Sequence, residues 1–214
     1  MTKLVSIYYN EFAPYEDLFD EHIHAQSEAD IADASAIVVW GGADISPFLY
    51  GEGRSSMSGA NSSPSLRDAI EWQAMQHAVK HGVPIIGICR GAQMLCALAG
   101  GKLFQHVDGH SGNHQVQTYD GHSFTVNSVH HQMMDLTNTE HELIAWCDNR
   151  SKTYWSVEPV KAPAVDPEMV WFPSVKGFAV QAHPEWFSRN SEFVRYVKSF
   201  IKERMLSHEN LNVV

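Results

Sequence analysis

The chain has 214 residues, of which 44% are hydrophobic and 19% are charged, and its formal net charge is −10 at pH 7. This length and apolar content predict a single folded domain over residues 1–214 and argue against a disordered chain. The acidic balance, without a cluster of Lys or Arg, argues against nucleic acid as a direct partner.

Cysteine content and hydropathy indicate the cellular compartment of the protein. The three cysteines form no Cys-x-x-Cys pair, and their odd number argues against a disulfide framework. The first apolar run is too short for a signal peptide, and no stretch reaches the roughly 18 apolar residues of a membrane span. We therefore expect a cytoplasmic protein with no membrane partner.

The N-terminal half alternates predicted strands with predicted helices, on the basis of apolar runs and helical spacing. The predicted strands are Leu4–Tyr8, Ala36–Trp40 and Val83–Ile88, and the predicted helices are Pro14–Gln26, a helix capped by Ser65 and ended by Gly82, and Ala92–Ala99. Residues 51–65 are rich in Gly, Ser and Asn, which predicts a mobile surface loop.

Residues 102–182 are predicted to be mostly β. The candidate strands are Phe124–Val126, Glu142–Ala145, Ser156–Val160, Met169–Phe172 and Phe178–Gln181, and a closing helix is predicted over Ser191–Met205. Strands that alternate with helices and then give way to short strands are typical of an α/β protein. We expect a mostly parallel open sheet flanked by helices, with a small antiparallel β elaboration.

The segment from Val83 to Gln93 has the pattern of a nucleophile elbow. An apolar strand ends in Gly87, Ile88 and Cys89, and Gly91 follows where a helix is predicted to begin. A sharp strand-to-helix turn of this kind lifts one side chain out of the sheet, and crowding around it requires small neighbours. Cys89 is therefore a candidate nucleophile, and a buried structural cysteine is the alternative.

A second candidate segment follows the last predicted strand. Phe178–Gln181 leads into His183, and Glu185 lies two residues further on. Gly41–Gly42, Cys89 and His183 each follow a predicted strand, and sites in open α/β sheets gather at the carboxyl ends of strands. A cysteine, a histidine and an orienting acid are the parts of an activated thiolate.

These residues resemble the class I glutamine amidotransferase superfamily, and within it the γ-glutamyl-γ-aminobutyrate hydrolase branch, also called peptidase family C26. Further matching segments are Leu49–Glu52, Arg67–Asp68, Gly100–Gly101, Val126–His130 and His183–Trp186. The matches are spread over about residues 36–187. The resemblance implies a flavodoxin-like fold of the class I glutamine amidotransferase type and a Cys-His-Glu triad.

The resemblance also implies roles for individual residues. Cys89 would be the nucleophile, His183 its base and Glu185 the orienting acid. Backbone N–H groups around Gly41 and Gly42 and of Arg90 would form an oxyanion hole. The groups that would hold the glutamyl α-amino and α-carboxylate ends are Gln93 and the backbone of Ser128, Val129 and His130. The sequence leaves open whether Gln93 faces the substrate or the core.

The resemblance implies hydrolysis of a γ-glutamyl amide, either glutamine or a γ-glutamyl amine, through a γ-glutamyl thioester. A glutaminase subunit that delivers ammonia to a separate synthetase is the alternative, and a catalytically silent binding protein on this fold is a third. The expected partner is a small-molecule γ-glutamyl substrate. A synthetase or a second copy of the chain is a possible further partner, and no cofactor is expected.

The chain contains 13 histidines, and several lie close together in the sequence: His106, His110, His114, His122, His130 and His131. Zinc sites need three or four ligands with supporting contacts, and the spacing here is loose, without a His-Glu-x-x-His motif. We therefore expect no metal site and place His130 at the substrate pocket, on the family resemblance. Cys96 and Cys147 are predicted to pack in the core.

Overall fold

The computed structural model describes residues 1–207 and consists of short buried strands joined by helices and turns. The strands are β1 (Lys3–Ile7), β2 (Glu21–His24), β3 (Ala36–Val39), β4 (Ile85–Ile88), β5 (Lys102–Phe104), β6 (His106–Val107), β7 (His114–Thr118), β8 (Ser123–Val126), β9 (Met133–Asp135), β10 (Glu142–Cys147), β11 (Tyr154–Trp155), β12 (Pro159–Val160), β13 (Asp166–Phe172) and β14 (Gly177–Val180).

Four α-helices are present in these described residues, together with 3-10 turns. The helices are α1 (Glu28–Ala32), α2 (Leu66–His81), α3 (Arg90–Leu98) and α4 (Glu192–Phe200), and the 3-10 turns are Glu16–Leu18, Pro47–Tyr50, Pro173–Val175 and Pro184–Trp186. A π-helical turn, Ile201–Met205, continues α4. Within residues 1–207, none of the helices combines the length and the apolar character that a membrane crossing requires.

A nine-stranded sheet with the order β2-β1-β3-β4-β14-β13-β10-β7-β8 organises the fold. The first five strands in this order are parallel to their neighbours, and β13, β10, β7 and β8 continue the sheet in antiparallel fashion. Two smaller sheets, β12-β11-β6 and β5-β9, lie outside it. The α/β class and the parallel sheet with an antiparallel elaboration are confirmed, and most of the antiparallel part is continuous with the parallel part.

Helices cover both faces of the parallel strands. On one face, Met75 of α2 and Leu95 of α3 share a buried cluster with Ile85 of β4. On the other face, Phe193 of α4 shares a cluster with Ile86 of β4. Strands buried on both faces are expected to be continuously apolar, as β3, β4 and β14 are. This packing holds the carboxyl ends of the three strands at one edge.

The helix predicted between Ser65 and Gly82 is confirmed as α2. The Ser65 side chain accepts a hydrogen bond from the Asp68 N–H, and the Asp68 carboxylate accepts one from the Ser65 N–H, forming a capping box. Gly82 ends the helix with a φ of 68°, in the left-handed region that favours glycine. An N-cap of this kind contributes about 1 kcal/mol.

The predicted helix over Pro14–Gln26 is wrong. That segment forms a 3-10 turn and then β2, which pairs in parallel with β1 from Lys3 opposite Glu21 to Ser6 opposite His24. The open edge of β1 supplies backbone hydrogen-bond partners to this segment, and the tertiary contact overrides the local helical spacing.

The strand predicted at Ser156–Val160 is instead the turn and second strand of a β11–β12 hairpin.

The segment 51–65 contains turns and no strand or α-helix, and several of its groups are anchored. The Arg54 side chain donates to the carbonyl oxygens of Ala60 at 2.6 Å and of Ser58 at 2.7 Å. The Ser55 N–H donates to the Gln105 side chain at 2.8 Å. The Arg54 contacts brace the segment internally, and the Ser55 contact ties it to Gln105, just after β5.

Candidate active site

Cys89 lies between β4 and α3 in a backbone conformation that side chains rarely adopt, with φ 48° and ψ −102°. Such a conformation costs about 1–3 kcal/mol and persists only where the surrounding structure imposes it. Here the Cys89 N–H donates to the Val180 carbonyl of β14 at 2.7 Å, and its carbonyl accepts from the Gln93 N–H at 3.1 Å. The predicted elbow is present, and neighbouring elements hold Cys89 in place.

The two glycines that flank Cys89 allow close contact between the helix and the sheet. A methyl group at Gly87 would lie 2.5 Å from the Gly91 carbonyl oxygen. A methyl group at Gly91 would overlap the carbonyl oxygen of Val39 in β3. Only glycine fits at either position, because α3 lies directly against β3 and β4 at its first turn.

His183 follows β14 and is oriented by two neighbours. Its Nδ1 lies 2.7 Å from Oε1 of Glu185, so the hydrogen bond assigns the ring proton to Nδ1 and leaves the lone pair on Nε2. The Trp186 indole stacks on the imidazole, with ring centroids 4.0 Å apart and planes 5° apart. His183 is thus held in the tautomer that can accept a proton at Nε2.

Asn127, which directly follows β8, fixes the backbone of His183. Its Oδ1 accepts from the His183 N–H at 2.8 Å, and its Nδ2 donates to the His183 carbonyl at 3.3 Å. Asn127 was not among the residues that the sequence assigned to the site. The one sequence feature that could have identified Asn127 is its position within the matching segment Val126–His130.

Gly41 brings the loop after β3 against both Cys89 and His183. A methyl group on Gly41 would lie 2.5 Å from Cε1 of His183 and 3.4 Å from Cβ of Cys89. The carboxyl ends of β3, β4 and β14 therefore bring Gly41, Cys89 and His183 together, because these three strands are neighbours in the sheet.

Arg67 of α2 binds the backbone of this loop. Its Nη2 donates to the carbonyl oxygens of Gly41 at 2.9 Å and of Trp40 at 3.1 Å, and its Nη1 donates to the Tyr9 hydroxyl at 3.0 Å. The guanidinium group also pairs with Glu71, at 2.9 Å. In a trans peptide the C=O and the following N–H point in opposite directions, so the Gly42 N–H points away from Arg67.

The Arg90 side chain is turned away from the site. It is buried, with Nη2 2.5 Å from Asp68 Oδ1 and Nη1 hydrogen-bonded to Glu71 Oε2. Both acids belong to α2, so the ion pairs join α2 to α3. The backbone N–H of Arg90 is the part of this residue that contacts Cys89, where it lowers the pKa of the thiol.

Burial dominates the electrostatics of the candidate nucleophile and raises the pKa of the Cys89 thiol to about 12. The Arg90 N–H opposes this effect, and the negative charges of Glu185, Asp44 and Glu168 raise the pKa further. A thiol with this pKa is protonated at neutral pH. A thiolate therefore forms only if a neighbouring base takes the proton, and His183 is held in the corresponding tautomer.

A cavity of about 570 Å³ opens beside these groups, large enough for a small ligand. The lining residues are Tyr9, Asn10, Glu11, Trp40, Gly41, Gly42, Cys89, Val129, His183, Glu185 and Trp186. Cys89, His183 and Glu185 thus share one cavity with Gly41, Gly42 and Val129. Tyr9, Asn10 and Glu11, which follow β1, were not predicted as part of the site.

The remaining predicted binding residues lie deeper in the protein. The Gln93 side chain is buried and donates to the Gln132 carbonyl at 2.9 Å, which places it in the core packing. His130 Nδ1 lies 2.9 Å from the same carbonyl oxygen. Ser128 is also buried, and its carbonyl accepts from the Gly112 N–H at 2.8 Å. Of the segment 128–130, Val129 is the residue that lines the cavity.

Three of the histidines that looked too loosely spaced for a metal site lie together in the structure. His110, His114 and His130 form a buried cluster with Asp166 and Glu168. The carboxylates lie on β13, more than 30 residues further along the chain, so histidine spacing alone could not reveal the cluster.

Comparison with known proteins gives a family match and a fold match. The family model of peptidase C26 matches residues 20–185. YvdE of Lactococcus lactis subsp. lactis, a glutamine amidotransferase-like protein, is 41% identical over 71 residues, covering 33% of this chain and 29% of its own length. The phosphoribosylformylglycinamidine synthase subunit PurQ of Mycobacterium leprae is 34% identical over 86 residues, covering 39% of this chain and 34% of its own.

The aligned segments thus span about a third of these curated relatives. Among solved structures, a glutamine amidotransferase of Thermotoga maritima superposes with a TM-score of 0.59 and 15% identity, covering 94% of this chain and 83% of that one. At this identity the superposition shows the shared fold. The class I glutamine amidotransferase fold expected from the sequence is confirmed.

Proposed function

The chain belongs to the peptidase C26 family, and we propose that it hydrolyses the side-chain amide of glutamine or of a γ-glutamyl amine. The observation that carries this proposal is the 2.7 Å contact between His183 Nδ1 and Glu185 Oε1, in the cavity that Cys89 also lines. Nucleophile, base and orienting acid are the parts that thiol-dependent acyl transfer requires.

In the proposed reaction, Nε2 of His183 takes the proton from Cys89, and Sγ attacks the γ-carbonyl carbon. The C–N bond then breaks as His183 returns the proton to the leaving nitrogen, which leaves a γ-glutamyl thioester on Cys89. His183 next takes a proton from water, and the hydroxide attacks the thioester. The C–S bond breaks, the proton returns to sulfur, and glutamate is released.

Two backbone N–H groups are proposed to stabilise the oxyanion of each tetrahedral intermediate. The Arg90 N–H lies at the first turn of α3 and contacts the Cys89 thiol. The Gly42 N–H points away from Arg67, in a loop that lines the cavity. Removing one such donor typically reduces kcat by about 10²–10³-fold.

The lining of the cavity supports a neutral or cationic leaving group. Tyr9, Trp186 and the acidic residue Glu11 form part of its wall, and none of the described lining residues is Lys or Arg. An amine that carries its own carboxylate would meet no opposite charge here. We therefore propose γ-glutamyl derivatives of alkylamines or diamines, together with glutamine, as the substrate class.

The matching segment of PurQ favours a second candidate function, a glutaminase subunit that passes ammonia to a synthetase. Its chemistry at Cys89 would be the same, and only the fate of ammonia would differ. A subunit of this kind is expected to turn over glutamine slowly alone and faster with its partner.

The test is glutamate release by the purified chain from glutamine, a γ-glutamyl alkylamide, a γ-glutamyl diamine and a γ-glutamyl amino acid. We expect turnover of the alkylamide or diamine that Cys89→Ala abolishes. Cys96→Ala, which changes a buried thiol of α3 that does not line the cavity, should retain turnover. Slow turnover of glutamine alone would favour the synthetase subunit, and an absence of Cys89-dependent glutamate release from all substrates would refute the proposal.

A further inference from the structure

A buried cluster of imidazole and carboxylate groups lies beside the active-site cavity. His110, His130 and Glu168 each offer one ligand atom, and these atoms lie within 4.8 Å of one another. The three residues are 2%, 6% and 1% exposed, respectively. They come from three segments: the turn before β7, the segment after β8, and β13.

The second nitrogen of His110 is already bound to a carboxylate. Its Nε2 lies 2.9 Å from Asp166 Oδ2, which assigns the proton to Nε2 and leaves a lone pair on Nδ1. Asp166 is held in turn by the Tyr154 hydroxyl and by the Arg150 N–H, each at 2.9 Å. A metal-binding histidine usually donates its other N–H to a carboxylate or a backbone carbonyl in this way.

His130 has the same arrangement with a backbone acceptor. Its Nδ1 donates to the Gln132 carbonyl at 2.9 Å, so the lone pair is on Nε2. Glu168 uses Oε1 to accept from His114 Nε2 at 2.9 Å. In residues 1–207, His110 Nδ1, His130 Nε2 and Glu168 Oε2 have no hydrogen-bond partner, although all three atoms are buried. Buried polar atoms are rarely left without a partner.

The charge of the cluster also calls for a cation. Asp166 and Glu168 are two buried carboxylates, and within the described residues their ion pairs are with histidines and none is with Lys or Arg. Burying carboxylates is costly unless positive charge compensates them. A divalent ion bound at the free atoms would balance both charges.

We propose that His110, His130 and Glu168 bind a divalent transition-metal ion of the zinc type. His110 Nδ1 lies 3.5 Å from Oε1 of Glu168, the oxygen that also accepts from His114, so the same carboxylate keeps its unpartnered Oε2 near His110. Imidazole nitrogen combined with one carboxylate suits zinc and its neighbours, whereas magnesium and calcium prefer oxygen ligands alone.

The position of the site assigns the ion a structural role. His130 lies next to Val129, which lines the active-site cavity, and Glu168 accepts a backbone hydrogen bond from Gln181, which leads from β14 to His183. A metal ion would therefore link the wall of the cavity to the strands that position the base. It would stabilise the site without contacting the substrate.

The test uses the full chain, stripped of metal with a chelator and then titrated with Zn²⁺. We expect one Zn²⁺ per chain by elemental analysis after dialysis, and a higher Tm for the zinc-loaded protein. Glu168→Gln and His130→Ala should lose the bound equivalent. Asp166→Asn, which removes a group that orients His110, should weaken zinc binding by about 10–100-fold.

Two control variants separate this site from other sources of bound zinc. His131→Ala removes the neighbouring histidine, whose side chain is 62% exposed, and should retain one Zn²⁺. Cys89→Ala should also retain it, which would exclude zinc bound by the catalytic thiol. If His130→Ala does not fold, Glu168→Gln carries the test, because glutamine preserves size. A wild-type chain that binds no Zn²⁺, or a Glu168→Gln variant that binds a full equivalent, would overturn the proposal.

Discussion

Nη2 of Arg67 lies 2.9 Å from the Gly41 carbonyl oxygen, so a helix on one face of the sheet holds the backbone that lies against His183 and Cys89. The guanidinium group also contacts the rings of Tyr8 and Tyr9, at 4.9 Å and 4.7 Å from their centroids. Because Tyr9 lines the cavity, one side chain connects the proposed oxyanion loop to the cavity wall. We therefore expect Arg67 to act as a positioning residue.

Replacing Arg67 with Lys should lower kcat for amide hydrolysis by about 10–100-fold, since small displacements of the loop misalign the reacting groups. Lysine keeps the charge, but its three donors lie on one nitrogen and cannot reproduce the planar group that contacts Glu71, Tyr9 and the carbonyl oxygens of Trp40 and Gly41. The measurement is kcat and KM for the best substrate of the panel. Arg54→Lys, in the segment 51–65, serves as the control. Equal kcat values for the two variants would contradict this role.

Replacing Glu185 with Gln should lower kcat by about 10³-fold or more, because an amide does not hold the Nδ1–H tautomer of His183 as a carboxylate does. The change preserves size, so we expect a Tm close to that of the wild type. Steady-state kinetics and thermal unfolding provide the two readouts. Glu192→Gln, on the exposed first turn of α4, should leave both unchanged. A fully active Glu185→Gln variant would exclude Glu185 as the orienting acid.

Replacing Arg90 with Met should lower the free energy of unfolding by about 3–5 kcal/mol, because it leaves the buried Asp68 carboxylate without its ion-pair partner and leaves Glu71 paired with Arg67 alone. Urea unfolding followed by circular dichroism would measure the loss. Arg195→Met, at an exposed position of α4, is the matched control. An equally small effect of both substitutions would show that the ion pairs between α2 and α3 do not stabilise the fold.

Buried thiols should make the protein less stable in alkali. Burial raises the pKa of Cys89 to about 12 and also raises the pKa of Cys96, whereas an unfolded thiol titrates near 8.5. The unfolded chain therefore loses these protons first as the pH rises. The stabilisation is complete below about pH 8.5 and is lost towards the pKa of the folded state, by up to about 1.4 kcal/mol per pH unit for each thiol.

The free energy of unfolding should accordingly fall between pH 8 and pH 9.5, and it should fall less steeply in Cys96→Ala. Urea titrations at several pH values would give the two slopes. Parallel slopes for the two proteins would show that Cys96 does not contribute to the pH dependence.

Local patterns in the sequence determined the elements that carry the candidate site. The strand, turn and helix around Cys89 and the His183–Glu185 pair involve residues a few positions apart, so spacing and side-chain size suffice to predict them. The capping box of Ser65 and the terminal Gly82 are local for the same reason. A local pattern gave the wrong element at β2, where helical spacing predicted a helix but the edge of β1 supplied backbone hydrogen-bond partners for a strand.

Only the tertiary structure decided which distant groups support those elements. Arg67 reaches Gly41, Asn127 reaches His183, and His110 meets Glu168 because the folded sheet and its packed helices bring together residues 26, 56 and 58 positions apart in the chain. Periodicity reports which face of an element is buried, whereas such contacts depend on the order of strands in the sheet. The sequence alone therefore determined the nucleophile, its base and the acid as candidates, and the fold decided what positions and surrounds them.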